Sequence, residues 1–273
     1  MKNGSYYLGA LAVAVLGVSA LIVHNSALVV ASEKGGEVNP LPEVKSGYDF
    51  RDPSTQAMQD DDFANPGYLW VEAGETLWNA VEGTKGKSCA NCHGDASDSM
   101  KGVGTRYPMY DKKLGKLINL EQRINSHRAE VMGAEPWAWE SDPFLAMTVY
   151  VRHQSRGMPV NVSIDGPAAP FFQKGKEFFH EPRGQLDLSC EDCHGKYGMH
   201  IRSDYLSQAQ TNGFPTYRLK WEGMGSLHRR FRGCNKNIRA QPLPNGSDEY
   251  VNLELYLAWR GNGLPVETPS LRN

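Results

Sequence analysis

The sequence predicts a mainly α-helical chain built from two tandem copies of one fold, and three observations carry that expectation. Two CxxCH pentapeptides, Cys89-Ala90-Asn91-Cys92-His93 and Cys190-Glu191-Asp192-Cys193-His194, use four of the five cysteines among 273 residues. The residues on either side of these pentapeptides repeat along the chain. Each half then ends in an aromatic and aliphatic segment with helical spacing, followed by Met158-Pro159-Val160 in one half and Leu264-Pro265-Val266 in the other.

The pentapeptide has the spacing of a covalent c-type haem site. Two thiols must reach two vinyl groups of one porphyrin, while the imidazole of the next residue must reach the iron as proximal ligand. Cys89, Cys92, Cys190 and Cys193 are the expected attachment points, and His93 and His194 the expected proximal ligands, for two covalently attached haems. Glycine follows each motif, at Gly94 and Gly195. Zinc binding and dithiol redox chemistry are the other uses of CxxC, and a zinc site would want four ligands drawn from Cys and His. Two complete pentapeptides favour haem, and the fold class becomes two tandem cytochrome c-like domains.

From the N-terminus, Lys2 precedes an apolar run from Tyr6 to Val23, a polar break at His24 to Ser26, and a small-residue site at Val29-Val30-Ala31. This is the layout of a secretory signal peptide over residues 1–31, cleaved near Ala31. The run of 18 residues is also long enough for an uncleaved membrane anchor, the less favoured reading. Both readings put the body of the chain outside the cytoplasm, where c-type haem is attached, and a periplasmic location is expected. The full chain is 40% hydrophobic and 22% charged with a formal net charge of −2, which suits two modest domains and shows no signature of nucleic-acid binding. Residues 32–66 contain Glu, Gly and Pro without apolar periodicity and read as an arm or linker that a partner can order.

Domain 1 is expected over 67–165 and domain 2 over 166–273. Gly74-Glu75-Thr76-Leu77-Trp78 begins 15 residues before Cys89, and Gly175-Lys176-Glu177-Phe178-Phe179 begins 15 residues before Cys190. These are equivalent amphipathic helices entering the haem sites. Beyond the haem motifs the match resumes at an offset of 107: Tyr107-Pro108-Met109-Tyr110 against Phe214-Pro215-Thr216-Tyr217, Lys113 against Lys220, Leu120 against Leu227 and Arg123 against Arg230. The closing helices are expected at about 143–155 and 249–260.

The same offset pairs His127 with Cys234, each four residues after its arginine, and makes them candidate sixth ligands of the two irons. Thioethers compete for the first iron at Met109, Met132 and Met158, with Met132 the main rival to His127. Met199 and Met224 compete more weakly for the second. Cys234 is the only cysteine outside the pentapeptides, and iron ligation accounts for a free thiol in an exported chain. It sits among Arg229, Arg230, Arg232, Lys236 and Arg239, with His228 nearby and Lys220 within folding reach. Such a field lowers a thiol pKa and attracts small dianions. A solvated basic face and pairing with haem propionates are the plainer uses of these arginines, and Arg123 repeats the Arg230 spacing in the half that lacks the cysteine.

Two blocks carry a family resemblance: Arg230-Phe231-Arg232-Gly233-Cys234, and Tyr256-Leu257-Ala258-Trp259-Arg260-Gly261-Asn262-Gly263-Leu264-Pro265-Val266-Glu267-Thr268-Pro269. Over most of residues 45–273 the chain resembles the SoxA family, the dihaem subunits of the SoxAX cytochromes of sulfur-oxidising bacteria. The resemblance implies an L-cysteine S-thiosulfotransferase, which joins thiosulfate to a cysteine of the carrier SoxY within SoxYZ and passes two electrons through haem. It implies that Cys234 is the catalytic residue, an iron ligand and the site of a persulfide, and that Arg230 binds the sulfur substrate. The stable partner it implies is SoxX, a monohaem cytochrome. His127 stands where some dihaem members carry a second cysteine ligand, so the first haem is expected to be His/His and of higher potential than a thiolate-ligated one. Rival functions are a thiosulfate dehydrogenase forming tetrathionate, a dihaem electron carrier without enzymatic activity and, less favoured, a dihaem peroxidase.

Overall fold

The computed structural model describes Met1, residues 36–201 and residues 204–273, so the expected signal peptide lies, apart from Met1, outside the described residues. The described chain is mainly helical, and no helix in it is long and apolar enough to cross a membrane.

Each half is organised around two crossed helices. In the first half α2 (Tyr68–Asn79) crosses α6 (Asp142–His153), and in the second α7 (Ala169–His180) crosses α10 (Asp248–Arg260). The repeated glycines explain how close these crossings are. A Cβ on Gly74 would stand 2.4 Å from the Ala146 carbonyl oxygen, and one on Gly175 would stand 2.0 Å from that of Asn252, so only glycine lets the backbones meet. Trp78, Met147 and Tyr150 fill the first crossing, and Phe172, Phe179, Leu253 and Tyr256 fill the second. Each large side chain buried there stabilises the fold by ~1.5–3 kcal/mol.

The pentapeptides form one-turn helices, α3 (Cys89–His93) and α8 (Cys190–His194). Ser88 and Ser189 cap them, and Asn91 and Asp192 return the capping bond, so the same local chemistry starts both haem motifs. After α3 come α4 (Ala96–Ser99) and the hairpin of β1 (Met109–Asp111) and β2 (Lys116–Ile118); Asn119 then caps α5 (Leu120–His127). After α8 come a short hairpin of β3 (His200–Ile201) and β4 (Asp204–Tyr205), then the equivalent pair β5 (Thr216–Arg218) and β6 (Gly223–Gly225). Ser226 caps α9 (Leu227–Asn237). The final strand β7 (Ser270–Arg272) pairs parallel to β5, giving a three-stranded sheet in the order β6-β5-β7. The X–Pro bonds at Tyr107–Pro108 and Phe214–Pro215 are both cis, so the repeat extends to this detail of backbone.

The halves interlock. β2 packs on α10 and β6 on α6, so the hairpin of each half leans on the long helix of the other. The closing motifs pair directly: Gly157 N–H donates to the Val266 carbonyl at 2.8 Å, Val266 N–H to that of Met158 at 2.9 Å, and Val160 N–H to that of Leu264 at 2.8 Å. Leu145, Val149 and Met224 join the two cores at this seam.

The stretch expected as an arm is tied down by the second half of the same chain. It contains a 3-10 turn at Gly47–Phe50 and α1 (Pro53–Asp60), which packs on β7. Asn39 Nδ2 donates to the Arg260 carbonyl at 2.9 Å, Lys45 N–H to Gln208 Oε1 at 2.8 Å, and Leu271 N–H to Gln59 Oε1 at 2.9 Å. Hydrogen bonds rather than an apolar stripe hold the segment, so no hydrophobic period announces it in the sequence.

Candidate active site

The two haem motifs present their histidines differently, and both presentations suit iron ligation. In the first half His127, at the end of α5, lies parallel to His93 with an interplanar angle of 6° and ring centroids 6.0 Å apart. Two imidazoles on one metal, each bonded at about 2 Å, have centroids separated by roughly 6 Å. Burial, then the charges of Arg123 and His93, lower the pKa of His127 and favour the neutral ring that a metal ligand requires. A π-helical turn at Arg128–Met132 follows His127 at once. Met132 is buried there, its carbonyl accepting from Lys85 N–H at 3.1 Å, while Met158 packs its methyl against Gly102.

In the second half His194 Nδ1 donates to the Ser207 carbonyl at 2.8 Å, which fixes the tautomer and leaves Nε2 for a metal. His194 interacts with Cys234 on α9. Among the described residues no three His, Cys, Asp or Glu side chains converge as a bare metal site would need, so the ligands present suit a haem iron better than zinc.

α9 holds the sulfur in place. Leu227, Phe231 and Asn235 form its buried face, and Asn235 Nδ2 donates to the Phe231 carbonyl at 2.9 Å and to Tyr250 Oη of α10 at 3.1 Å. Cys234, one position away, is left half-buried beside His194. Burial pushes its thiol pKa up, but the Arg230 charge, the hydrogen bond and charge of His194, and Arg218 together bring it down to about 6. At Cys190, in contrast, burial and the neighbouring Cys234 push the pKa up to about 12. The thiolate preference therefore belongs to the α9 position.

The basic field is narrower than its sequence suggests. Arg229 donates to the Met224 carbonyl at 3.3 Å and stacks 4.2 Å above the Trp221 ring, while Arg232 turns to the Leu243 carbonyl. His228 is buried against Glu254 at 3.2 Å, Lys220 pairs with Asp204 at 2.7 Å, and Lys236 and Arg239 are exposed. Of the clustered cations Arg230 acts most strongly on Cys234, because helical geometry points its neighbours to other faces.

Two arginines outside the cluster complete the site. Arg218, at the end of β5, is 5% exposed; its Nε donates to the Asn273 carbonyl at 2.7 Å and its Nη2 to Asp204 Oδ2 at 2.9 Å. Its Nη1 is buried without a hydrogen-bond partner among the described residues. Arg51, from the N-terminal segment, lies near Arg218 and Arg230, donates to the Tyr205 carbonyl at 2.9 Å and buries an unpaired Nε. Composition does not reveal either one. The repeat offers a signal only for Arg218, whose equivalent 107 positions earlier is Asp111.

The family model for the SoxA/TsdA cytochrome c domain matches residues 73–160. Over 238 residues the chain is 48% identical to "L-cysteine S-thiosulfotransferase subunit SoxA" of Pseudaminobacter salicylatoxidans, covering 86% of this chain and 83% of that protein. With the protein of the same name from Rhodovulum sulfidophilum it shares 49% identity over 232 residues, 85% of this chain and 81% of the other. The fold matches a chain in the crystal structure of SoxXA from P. pantotrophus with a TM-score of 0.82 and 47% identity, covering 84% of this chain and 87% of that one.

Proposed function

The chain belongs to the SoxA family, and we propose that it is the catalytic subunit of an L-cysteine S-thiosulfotransferase in which Cys234 receives thiosulfate and hands it to a carrier cysteine. The observation that carries this reading is the half-buried sulfur of Cys234, outside both CxxCH motifs and hydrogen-bonded to His194, with Arg230 and Arg218 lowering its pKa.

Two haems would be held by Cys89, Cys92, Cys190 and Cys193, and their irons would be held by His93 and His127 in the first half and by His194 and Cys234 in the second. Bound haem supplies the one-electron acceptor that takes up two electrons in turn. The Cys234 thiolate forms one S–S bond with the outer sulfur of thiosulfate, leaving Cys234–S–S–SO3⁻ and releasing two electrons. Arg230 neutralises the sulfonate while that bond forms. The SoxY thiolate, presented by SoxYZ, then attacks the sulfur bonded to Cys234. Its new S–S bond replaces the one to Cys234, which leaves as thiolate, and the only proton released overall comes from the carrier thiol. A SoxX-type monohaem cytochrome is the stable partner and electron exit, in the periplasm.

The test is Cys234→Ala in the complex with its monohaem partner, read by intact mass of the carrier and by low-temperature EPR. Loss of the low-spin thiolate signal together with a fall of at least about 10³-fold in carrier modification is expected. Survival of both would leave a dihaem electron carrier. Tetrathionate formed without the carrier would identify a thiosulfate dehydrogenase instead.

A further inference from the structure

At one position of the internal repeat the two halves carry opposite charges. In the first half Arg123 is neutralised by Asp111 of β1, and its Nε also donates to Tyr107 Oη at 3.4 Å. The equivalents of these three residues are Arg230, Arg218 and Phe214. The acid that pairs the arginine in one half is thus an arginine in the other, and the tyrosine has lost its hydroxyl. Among the described residues Arg230 has no ion-pair or hydrogen-bond acceptor, and its charge opposes that of Arg218.

Holding two guanidinium groups together in a partly buried site is costly unless an anion sits with them. Asp204 cannot serve both, since it already pairs with Arg218 Nη2 at 2.9 Å and Lys220 at 2.7 Å. Arg218 Nη1 and Arg51 Nε remain buried and unpaired on this side of the molecule. We propose that Arg218, with Arg230, forms a two-centre seat for the thiosulfate dianion beside Cys234, and that Arg218 is a specificity-determining residue that selects doubly charged substrates. This deepens the thiosulfate reading and rests on it. A haem propionate offers the same anionic chemistry, and the experiment separates the two sources.

Thiosulfate binding to the two-haem protein in complex with its partner is measured by calorimetry, alongside sulfate as an unreactive dianion, for wild type, Arg218→Gln, Arg218→Lys and Arg218→Asp. The Lys variant keeps a cation for Asp204 and guards against misfolding of the Gln variant. Removing one charge-assisted contact to a dianion corresponds to a fall of roughly 10- to 100-fold in affinity. That loss is expected for thiosulfate and sulfate alike in Arg218→Gln, less in Arg218→Lys and more in Arg218→Asp, which restores the acid–arginine pair of the first half. KM should rise in parallel while kcat, haem content and the low-spin EPR signal hold. Unchanged anion affinity with intact haem would overturn the seat. A shifted haem potential or lost haem with unchanged sulfate binding would assign Arg218 to a propionate and overturn it equally. Binding is read without the carrier, so a wild type that binds thiosulfate but fails to modify SoxY would refute the transferase reading and leave the seat standing.

Discussion

The two halves use one backbone to make two unlike sites. Each begins with a serine-capped CxxCH turn, a cis X–Pro bond and a short hairpin, and each presents its distal side chain from the helix after that hairpin. At the end of α5 that side chain is His127, lying parallel to His93, with Arg123 tied to Asp111. On α9 it is Cys234, with Arg230 unpaired and Arg218 in the place of the aspartate. Reactivity thus needs little new architecture. Exchanging a nitrogen donor for sulfur and an anion for a cation at equivalent positions turns a neutralised arginine beside an imidazole into a pair of cations beside a sulfur.

The sharpest way to break this comparison is to substitute the equivalent arginines. Arg230→Gln removes a charge that lowers the Cys234 pKa and that, in the proposed mechanism, receives the sulfonate, and a loss of about 100-fold in kcat/KM for carrier modification is expected. Arg123→Gln releases Tyr107 Oη and Asp111, and Asp111 keeps hydrogen bonds from the Lys113 and Leu114 N–H groups at 2.7 Å and 2.9 Å. Kinetics should stay within about twofold, and partial exposure of the ion pair limits the stability cost to about 1 kcal/mol. Equal kinetic losses from both substitutions would mean that the arginines share a haem-holding role and that the halves do not differ in function.

A smaller effect tests whether the halves are separate at all. Gly74→Ala and Gly175→Ala each force a helix crossing open against backbone, and each should destabilise by about 1–3 kcal/mol, with the tighter second crossing at the upper end. The hairpin of each half leans on the other's long helix, so calorimetry should show one transition, lowered in both variants by roughly 2–4 °C per kcal/mol. A second transition, with only the substituted half melting early, would show two independent domains.

Much of this architecture is legible in the sequence. The offset of 107 aligns the segments that become the two hairpins and the helices after them and pairs His127 with Cys234, but it does not announce a hairpin or a helix there, where an irregular segment is the natural sequence reading. The closing helices fall within about two residues of expectation because their apolar faces are continuous over Phe144–Val151 and Tyr250–Trp259. What escapes is set by polar contacts. The segment before residue 67 is ordered by Asn39, Gln59 and Asn65 through hydrogen bonds, which leave no periodic trace. The crowd of cations around Cys234 divides because a helix turns successive residues about 100° apart, so Arg229 and Arg232 leave the sulfur while Arg230 stays. Arg51 and Arg218 come from distant segments, and only three-dimensional closure brings them to Arg230.

The finest difference lies at the seam, where Glu121 of α5 and its equivalent His228 of α9 both meet Glu254 of α10. His228 Nδ1 accepts from Gly246 N–H at 2.9 Å, so Nε2 carries the proton and donates to Glu254 at 3.2 Å; Asn119 Nδ2 donates to the same oxygen at 3.1 Å. Glu121 is buried too, and burial followed by the Glu254 charge pushes its pKa up to about 8, with its own backbone N–H and Arg152 of α6 opposing the rise and Glu140 adding to it. An acid whose pKa is higher in the folded than in the unfolded chain binds more protons when folded. Stability from this group is therefore complete below the unfolded carboxylate pKa of about 4.3 and is lost as pH rises toward the folded value. Sharing of charge within the cluster limits the change to about 1–2 kcal/mol between pH 5 and 8. Denaturant unfolding at those two pH values should show the loss in wild type and little of it in Glu121→Gln. An equal loss in the variant would place the titration outside Glu121 and remove this difference between the two sides of the seam.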